Sequence, residues 1–288
     1  MVRYGCFLGF LLFLCTAKNG IAQLKDSGRL LRIAHHFPSY LRPGDAVELI
    51  TTVVNSGDTE RIGQISLQLM DSVSNAPVDG WFNNIFPTQY LTVAPHHSTT
   101  SRFPVAVPVQ FRSTLKWQIE LLSDSLQTKA SGEITVIHPP AAPDSTRYKQ
   151  MVHTGFGLHK QFFRVNNRNA LTQPLDEFTP LQLDDEVQVV LTITTPKKLD
   201  AVTLIEDAPT TLRKFTQPVI ARRKLSATPT ARGMRLFIPV LPAGTHRITY
   251  TGRVMYVGTF SCGHLQLEAN NLKAPLLSLT ETKLQVTE

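Results

Sequence analysis

Residues 237–270 read FIPVLPAGTHRITYTGRVMYVGTFSCGHLQLEAN. Ile248, Tyr250, Val254 and Tyr256 fall on one parity and Arg247, Thr249, Thr251 and Arg253 on the other. A period of two is that of a half-buried strand. Gly244 and Gly258 punctuate the two ends, where glycine supplies backbone conformations that other residues reach at a cost. The stretch is predicted to be a scaffold hairpin, with Arg247 and Arg253 on its wet face.

The same alternation recurs outward in both directions. AVELITTVVNSGD (46–58) places Val47, Leu49, Thr51 and Val53 on one face and ends in a turn cluster. GQISLQLMD (63–71) repeats it with Ile65, Leu67 and Leu69; after an excursion through PVDGWFNNIFPTQ (77–89), LKWQIELL (115–122) does so with Leu115, Trp117, Ile119 and Leu121. EVQVVLTITT (186–195), AVTLIED (201–207) and RLFIPV (235–240) continue the style, with Val187, Val189, Leu191 and Ile193 on one face of the first. No segment of useful length carries a 3.6-residue apolar stripe. Short strands with one wet face and regular turn signals predict an all-β protein of antiparallel β-sandwiches.

Compartment and domain number come from the ends and the charge. Arg3 precedes the apolar run FLGFLLFLC (7–15), and small residues at Gly20 and Ala22 follow, the pattern of a secretory signal peptide over residues 1–22. The run is too short to span a bilayer, so the expectation is an exported chain, periplasmic or secreted, with no transmembrane segment. Leu14 before Cys15 is too large for a lipid-attachment site, and that cysteine is read as part of the signal core. With Cys6 and Cys15 in the signal, Cys262 stands alone and no intramolecular disulfide is expected. The formal charge of +7 is uneven: residues 23–138 hold 9 basic and 10 acidic side chains, and residues 139–288 hold 18 and 12. Between the halves lies HPPAAPDSTRYKQ (138–150), whose prolines cannot continue a strand ladder. The expected organisation is one sandwich over 23–138, a linker over 139–150 and a second sandwich over 151–288.

Two sets of motifs carry a family resemblance. YLRPGDAVELITTVVNSGDTERIGQISLQLMDSVSNAPVD (40–79), with FPVAVPV (103–109) after it, resembles a macroglobulin domain of the bacterial α2-macroglobulin family. LHKQFFRVNN (158–167), LQLDDEVQVVLTITTPKKLDAVTLIEDAP (181–209) and LPAGTHRITYTGRVMYVGTF (241–260) resemble that family's C-terminal macroglobulin domain. The resemblance implies two macroglobulin-type, Ig- or fibronectin III-like sandwiches. In full-length relatives these regions flank a helical thioester domain. Here only Cys262-Gly263 is available, it continues as His264-Leu265, and no thioester or other functional residue carries over.

Candidate chemistry is sparse. Cys262 and His264, two apart, would share a strand face, the minimum for a metal pair or an imidazole-activated thiol. Neither a further ligand nor an oxyanion hole is at hand, and the reading is a strand-end cysteine beside a surface histidine. The pairs His35-His36 and His96-His97 point to opposite faces of an extended chain and are read as loop residues. Asp184-Asp185-Glu186 is read as a solvated turn opening a strand. Catalytic, cofactor-binding and metal-binding residues are therefore expected to be absent, and the protein is not expected to be an enzyme.

The distinctive polar feature is RKFTQPVIARRKLSATPTARGMR (213–235), which holds Arg213, Lys214, Arg222, Arg223, Lys224, Arg232 and Arg235 and no acid. A block of like charge is first a solvated loop between strands. The alternative is a contact surface for anionic lipid, polyanionic glycan or an acidic protein, nucleic acid being disfavoured in an exported chain with little aromatic interleaving. The expected function is that of a non-catalytic binding or scaffold protein, a truncated α2-macroglobulin without its thioester. Its partner would be a protein, among them a protease or a thioester-bearing macroglobulin, or an anionic envelope component. The alternative is a thioester-independent protease inhibitor, or an accessory subunit of an α2-macroglobulin-type protease trap.

Overall fold

The computed structural model describes residues 30–124, 126–138, 155–165, 171–175, 179–279 and 283–288. The expected signal peptide, Cys6, Cys15 and the 139–150 linker lie outside these residues. The described chain is strands joined by turns, with a single 3-10 turn at Asp79–Phe82.

In the N-terminal unit, β1 (Leu31–His36), β3 (Ala46–Asn55) and β6 (Ser98–Ala106) form one layer. The facing layer runs, in spatial order, β2 (Tyr40–Leu41), β8 (Leu126–Val136), β7 (Thr114–Ser123), β4 (Arg61–Asp71) and β5 (Thr88–Val93). The parity read from the sequence is the parity that is buried: Val47, Leu49, Thr51 and Val53 from β3, Ile65, Leu67 and Leu69 from β4, and Leu115, Trp117, Ile119 and Leu121 from β7 all face inward. The excursion at 77–89 folds back on β4, where the Asp79 side chain accepts from Leu69 N at 3.0 Å and Asn84 Nδ2 donates to Leu67 O at 3.0 Å. Phe82 is thereby buried edge-on to Phe111, while Trp81, Ile85 and Phe86 stay exposed.

In the C-terminal unit one layer is β10 (Leu171–Pro174), β9 (Gly157–Val165), β12 (Glu186–Thr195), β19 (Gly244–Val254), β15 (Val219–Ile220) and β16 (Arg223–Lys224), with β14 (Leu212–Arg213) also on β19. The other is β17 (Ser226–Pro229), β18 (Gly233–Leu241), β13 (Leu199–Asp207), β21 (His264–Glu268) and β22 (Leu276–Leu279). The predicted 237–270 hairpin is corrected here. β18 and β19 are both strands, but they belong to opposite layers: β18 pairs with β13 and β17, and β19 with β12. Alternation fixes which face of a strand is buried and leaves its hydrogen-bond partner open, so Pro242–Ala243 turn out to carry the chain across the sandwich.

The layer of β1, β3 and β6 does not end within its own unit. β20 (Gly258–Ser261) pairs with the first residues of β3, at Gly258↔Val47 and Thr259↔Ala46, just beyond the stretch of β3 that β1 occupies. β20 in turn pairs with β23 (Lys283–Thr287), and β23 with β11 (Leu181–Gln182). One sheet therefore belongs to both units. Gly258 makes the approach possible: its φ is +141°, and a Cβ there would be driven into the Ala46 carbonyl.

Candidate functional site

Two regions concentrate charge, and they differ in every physical respect. The first lies where the units meet. β13 runs through Val202 and Leu204 on its buried parity and then sets Glu206 on the same parity, followed by Asp207 at the strand end; both are fully buried. On β9 the buried parity of Phe162 is continued by Lys160. Lys160 Nζ reaches Glu206 Oε1 at 3.2 Å and donates to the carbonyls of Asp207 at 2.7 Å and Cys262 at 2.6 Å. An ammonium has three donors, and all three are used. The Tyr250 hydroxyl also faces Glu206, and its pKa is raised well above the ordinary phenol range by burial and by that carboxylate.

Asp207 is the hub. His264 Nδ1 stands 2.8 Å from Asp207 Oδ2, Arg42 Nη2 3.9 Å from the same oxygen, and Arg232 Nε 3.5 Å from Oδ1. Burial pushes the Asp207 carboxyl up, but His264, Arg42 and Arg232 together outweigh it and hold the pKa below the usual carboxylate value. The N-terminal unit adds Asp45, which accepts from Arg42 N (2.9 Å), Thr210 Oγ1 (3.1 Å) and Ser261 N (2.8 Å). For Asp45 desolvation wins and the pKa is raised. Tyr40 Oη donates across the same boundary to Ala208 O and Arg232 O, and the Arg213 guanidinium lies over the Tyr40 ring at 4.7 Å.

These contacts settle where the candidate chemistry sits. His264 is 3% exposed and belongs to the buried cluster, which corrects its reading as a surface histidine. Cys262 lies between β20 and β21 and not within a strand, and Gly263 after it has a φ of +69°. Cys262 is fully buried, and desolvation pushes its thiol up to about 12. A thiol there is protonated and closed to solvent, the reverse of what a nucleophile needs. His35 and His36 lie in β1 and not in a loop; His35 packs on Phe37 and Trp117, while His36 Nε2 contacts Met255 O of the other unit at 3.0 Å. Among the described residues no group of three or more His, Cys, Asp and Glu could hold a metal ion. No helix among them is long and apolar enough to cross a membrane.

The second region is the basic segment. It forms a run of short strands, β14 to β17, and the structure divides its seven cations. Arg213 and Arg232 turn into the junction, where Asp207 supplies the acid that the segment itself lacks. Lys214, Arg222, Arg223, Lys224 and Arg235 remain exposed, and among the described residues none of them has an ion-pair partner. Ala221 and Arg222, with φ of 45° and 67°, form the two-residue turn between β15 and β16. Beside that hairpin is an open pocket of about 280 Å³.

Sequence reasoning passed over Lys160, Glu206, Asp207, Arg42 and Asp45. A signal was present for the first two: a lysine and a glutamate, each on the buried parity of an apolar strand, require one another. Arg42 and Asp45 gave no such signal, since their partners come from the other unit.

Residues 155–270 match the family model of the bacterial alpha-2-macroglobulin MG10 domain. Among solved structures, native alpha-2-macroglobulin of Escherichia coli, from domain MG7 to the C-terminus, aligns at a TM-score of 0.63 and 7% identity, over 90% of this chain and 99% of that one. Red sea bream transglutaminase aligns at a TM-score of 0.29 and 12% identity, over 91% of this chain but only 32% of its own length. No curated protein sequence matches the chain. The fold and the MG10 match define a protein built of macroglobulin-type β-sandwiches. Residues 155–270 are similar to the MG10 domain of bacterial alpha-2-macroglobulin, and the likeness to the solved Escherichia coli structure is one of fold.

Proposed function

We propose that this chain is an exported, non-catalytic framework protein that acts by binding, its two sandwiches locked together and its contact surface carried by the C-terminal unit. One observation carries the reading. The residues that would have to do chemistry, Lys160, Glu206, Asp207, Cys262 and His264, are each at most 3% exposed and are committed to one another or to backbone. A solute cannot reach them, whereas five cations with no ion-pair partner among the described residues lie open on one segment. Export is supported by the 1–22 signal pattern and by the similarity of residues 155–270 to a bacterial alpha-2-macroglobulin domain. Division into two units joined at 139–150 rests on the charge asymmetry and on the proline-rich 138–150 stretch.

The test is incubation of the mature chain with several proteases, each assayed on a large and a small substrate, alongside iodoacetamide labelling of the native protein. The expected result is turnover of both substrates unchanged and no alkylation of Cys262 until the chain is unfolded. Selective protection of the large substrate would replace this reading with that of a thioester-independent protease inhibitor. Rapid native alkylation would overturn the non-catalytic assignment.

A further inference from the structure

The pocket is bounded by residues 215–218, which lead into β15, and by Ala227, Pro229, Gly233 and Met234 of β17 and β18. Its walls are pre-formed. Phe215 stands edge-on to the buried Tyr250 ring at 5.6 Å and packs on Gly252, where a Cβ would come within 3.1 Å of the Phe215 ring. Two prolines stiffen the opposite rim. Lys214 directly precedes Phe215, and the hairpin bearing Arg222, Arg223 and Lys224 is closed at its base by Leu225 N donating to Pro218 O at 2.9 Å. Arg235 sits across from Thr228, on the outer face of the same edge. The hairpin's turn adds an independent signal. Both its central residues are left-handed, a conformation that favours Asn-Gly, yet here Ala221 and Arg222 hold it. Backbone strain of this kind persists only where the surrounding structure over-determines it, and it clusters at ligand clamps and active sites.

We propose that this pocket seats one large apolar side chain from an acidic segment of a partner protein, with Lys214, Arg222, Arg223 and Lys224 pairing the carboxylates on either side. Charge complementarity selects an acidic occupant, because among the described residues these cations meet no acid. The size selects a side chain: the pocket falls just below the ~300–1,000 Å³ that holds a drug-sized ligand, and it is open rather than tunnel-like, so an acyl chain would not be enclosed. The proposal deepens the binding-framework reading and rests on it. The peptide titration below is independent of the protease incubation, so the two can fail separately.

The experiment is fluorescence anisotropy of the mature chain with a short glutamate-rich peptide carrying a central phenylalanine, and with the same peptide carrying alanine there. Phosphatidylglycerol vesicles and heparin are titrated in parallel. The phenylalanine peptide is expected to bind at least about fivefold more tightly than the alanine peptide, and to weaken by about tenfold from low to physiological salt. Ala227→Phe, which fills the pocket and leaves the charges, should abolish the preference for phenylalanine. The triple change Arg222→Glu, Arg223→Glu and Lys224→Glu should remove binding of both peptides without altering the melting temperature. Equal binding of the two peptides, or an Ala227→Phe variant that keeps the preference, overturns the pocket's role. Binding to vesicles or heparin with none to either peptide overturns the partner class, and no binding to any probe overturns the site itself.

Discussion

The junction and the basic segment use the same kinds of residue in opposite ways. At the junction Lys160, Arg42 and Arg232 are met by Glu206 and Asp207, and for Lys160 and Arg42 burial makes the pairing obligatory, since an ion removed from water without a partner costs several kcal/mol. On the segment Lys214, Arg222, Arg223, Lys224 and Arg235 meet no acid among the described residues, and water is the partner that makes this tolerable. Arg213 and Arg232 show that the difference belongs to location and not to sequence neighbourhood. They sit in the same basic run as the other five, yet their side chains reach Tyr40 and Asp207. Compensated charge fixes a structure, and uncompensated charge is available to something else.

Five single substitutions test or sharpen this contrast. The largest effect is expected from Lys160→Met, which leaves Glu206 and two carbonyls without their donor inside the core. Urea unfolding should show a loss of about 3–5 kcal/mol, and Lys160→Met with Glu206→Gln should recover part of it. A loss no larger than that of a surface lysine would mean the junction charges are not coupled as described. Gly258→Ala comes next. The new methyl would strike the Ala46 carbonyl at the strand pairing that unites the two units, at a cost of about 2–3 kcal/mol. Gly244→Ala is its control: with φ of +125° but open space around it, it should lose only the conformational part, about 1 kcal/mol.

Asp207→Asn should cost about 2 kcal/mol at neutral pH, and the pH dependence gives the sharper reading. Because the folded carboxyl titrates below its ordinary value, the stability it contributes is present above that ordinary value and is lost as pH falls through the folded one. The gap between wild type and variant should therefore be full at neutral pH and close below about pH 4. Asp45 works in the opposite sense: with its pKa raised, its contribution is present at low pH and is lost as pH rises through the raised value. A gap between wild type and Asp207→Asn that widens in acid would contradict the assignment of His264, Arg42 and Arg232 as the groups that hold Asp207 ionised. The smallest effect lies on the other side of the comparison. Ala221→Asn puts a residue tolerant of the left-handed region at the hairpin turn and should stabilise the protein by about 0.5–1 kcal/mol. Thermal melting checks this, and unchanged peptide binding would show that the turn's strain is separable from the charges it displays.

The sequence by itself determined the strands and their buried faces. Alternation in β3, β4, β7 and β12 named the core residues correctly, because the side chains of a strand project to either side with a period that no tertiary context can change. It also determined that this is an all-β protein of macroglobulin type, since the recurring motifs mark strand and turn positions. Tertiary structure alone decided the pairing. Pro242–Ala243 carry the chain from one layer of the sandwich to the other, and β20 extends the sheet of β3 and does not pair with β19. Hydrogen-bond partners along a strand edge are set by which edge arrives there, and backbone N–H and C=O groups carry no sequence label. The charge cluster was legible only in part. Lys160 and Glu206 broke the apolar parity of their strands and so carried the signal of a buried pair, but Arg42 and Asp45 lie more than a hundred residues from the Asp207, Thr210 and Ser261 that they meet. The basic run likewise had a definite composition and no definite meaning until the fold turned two of its arginines inward and left five cations outside.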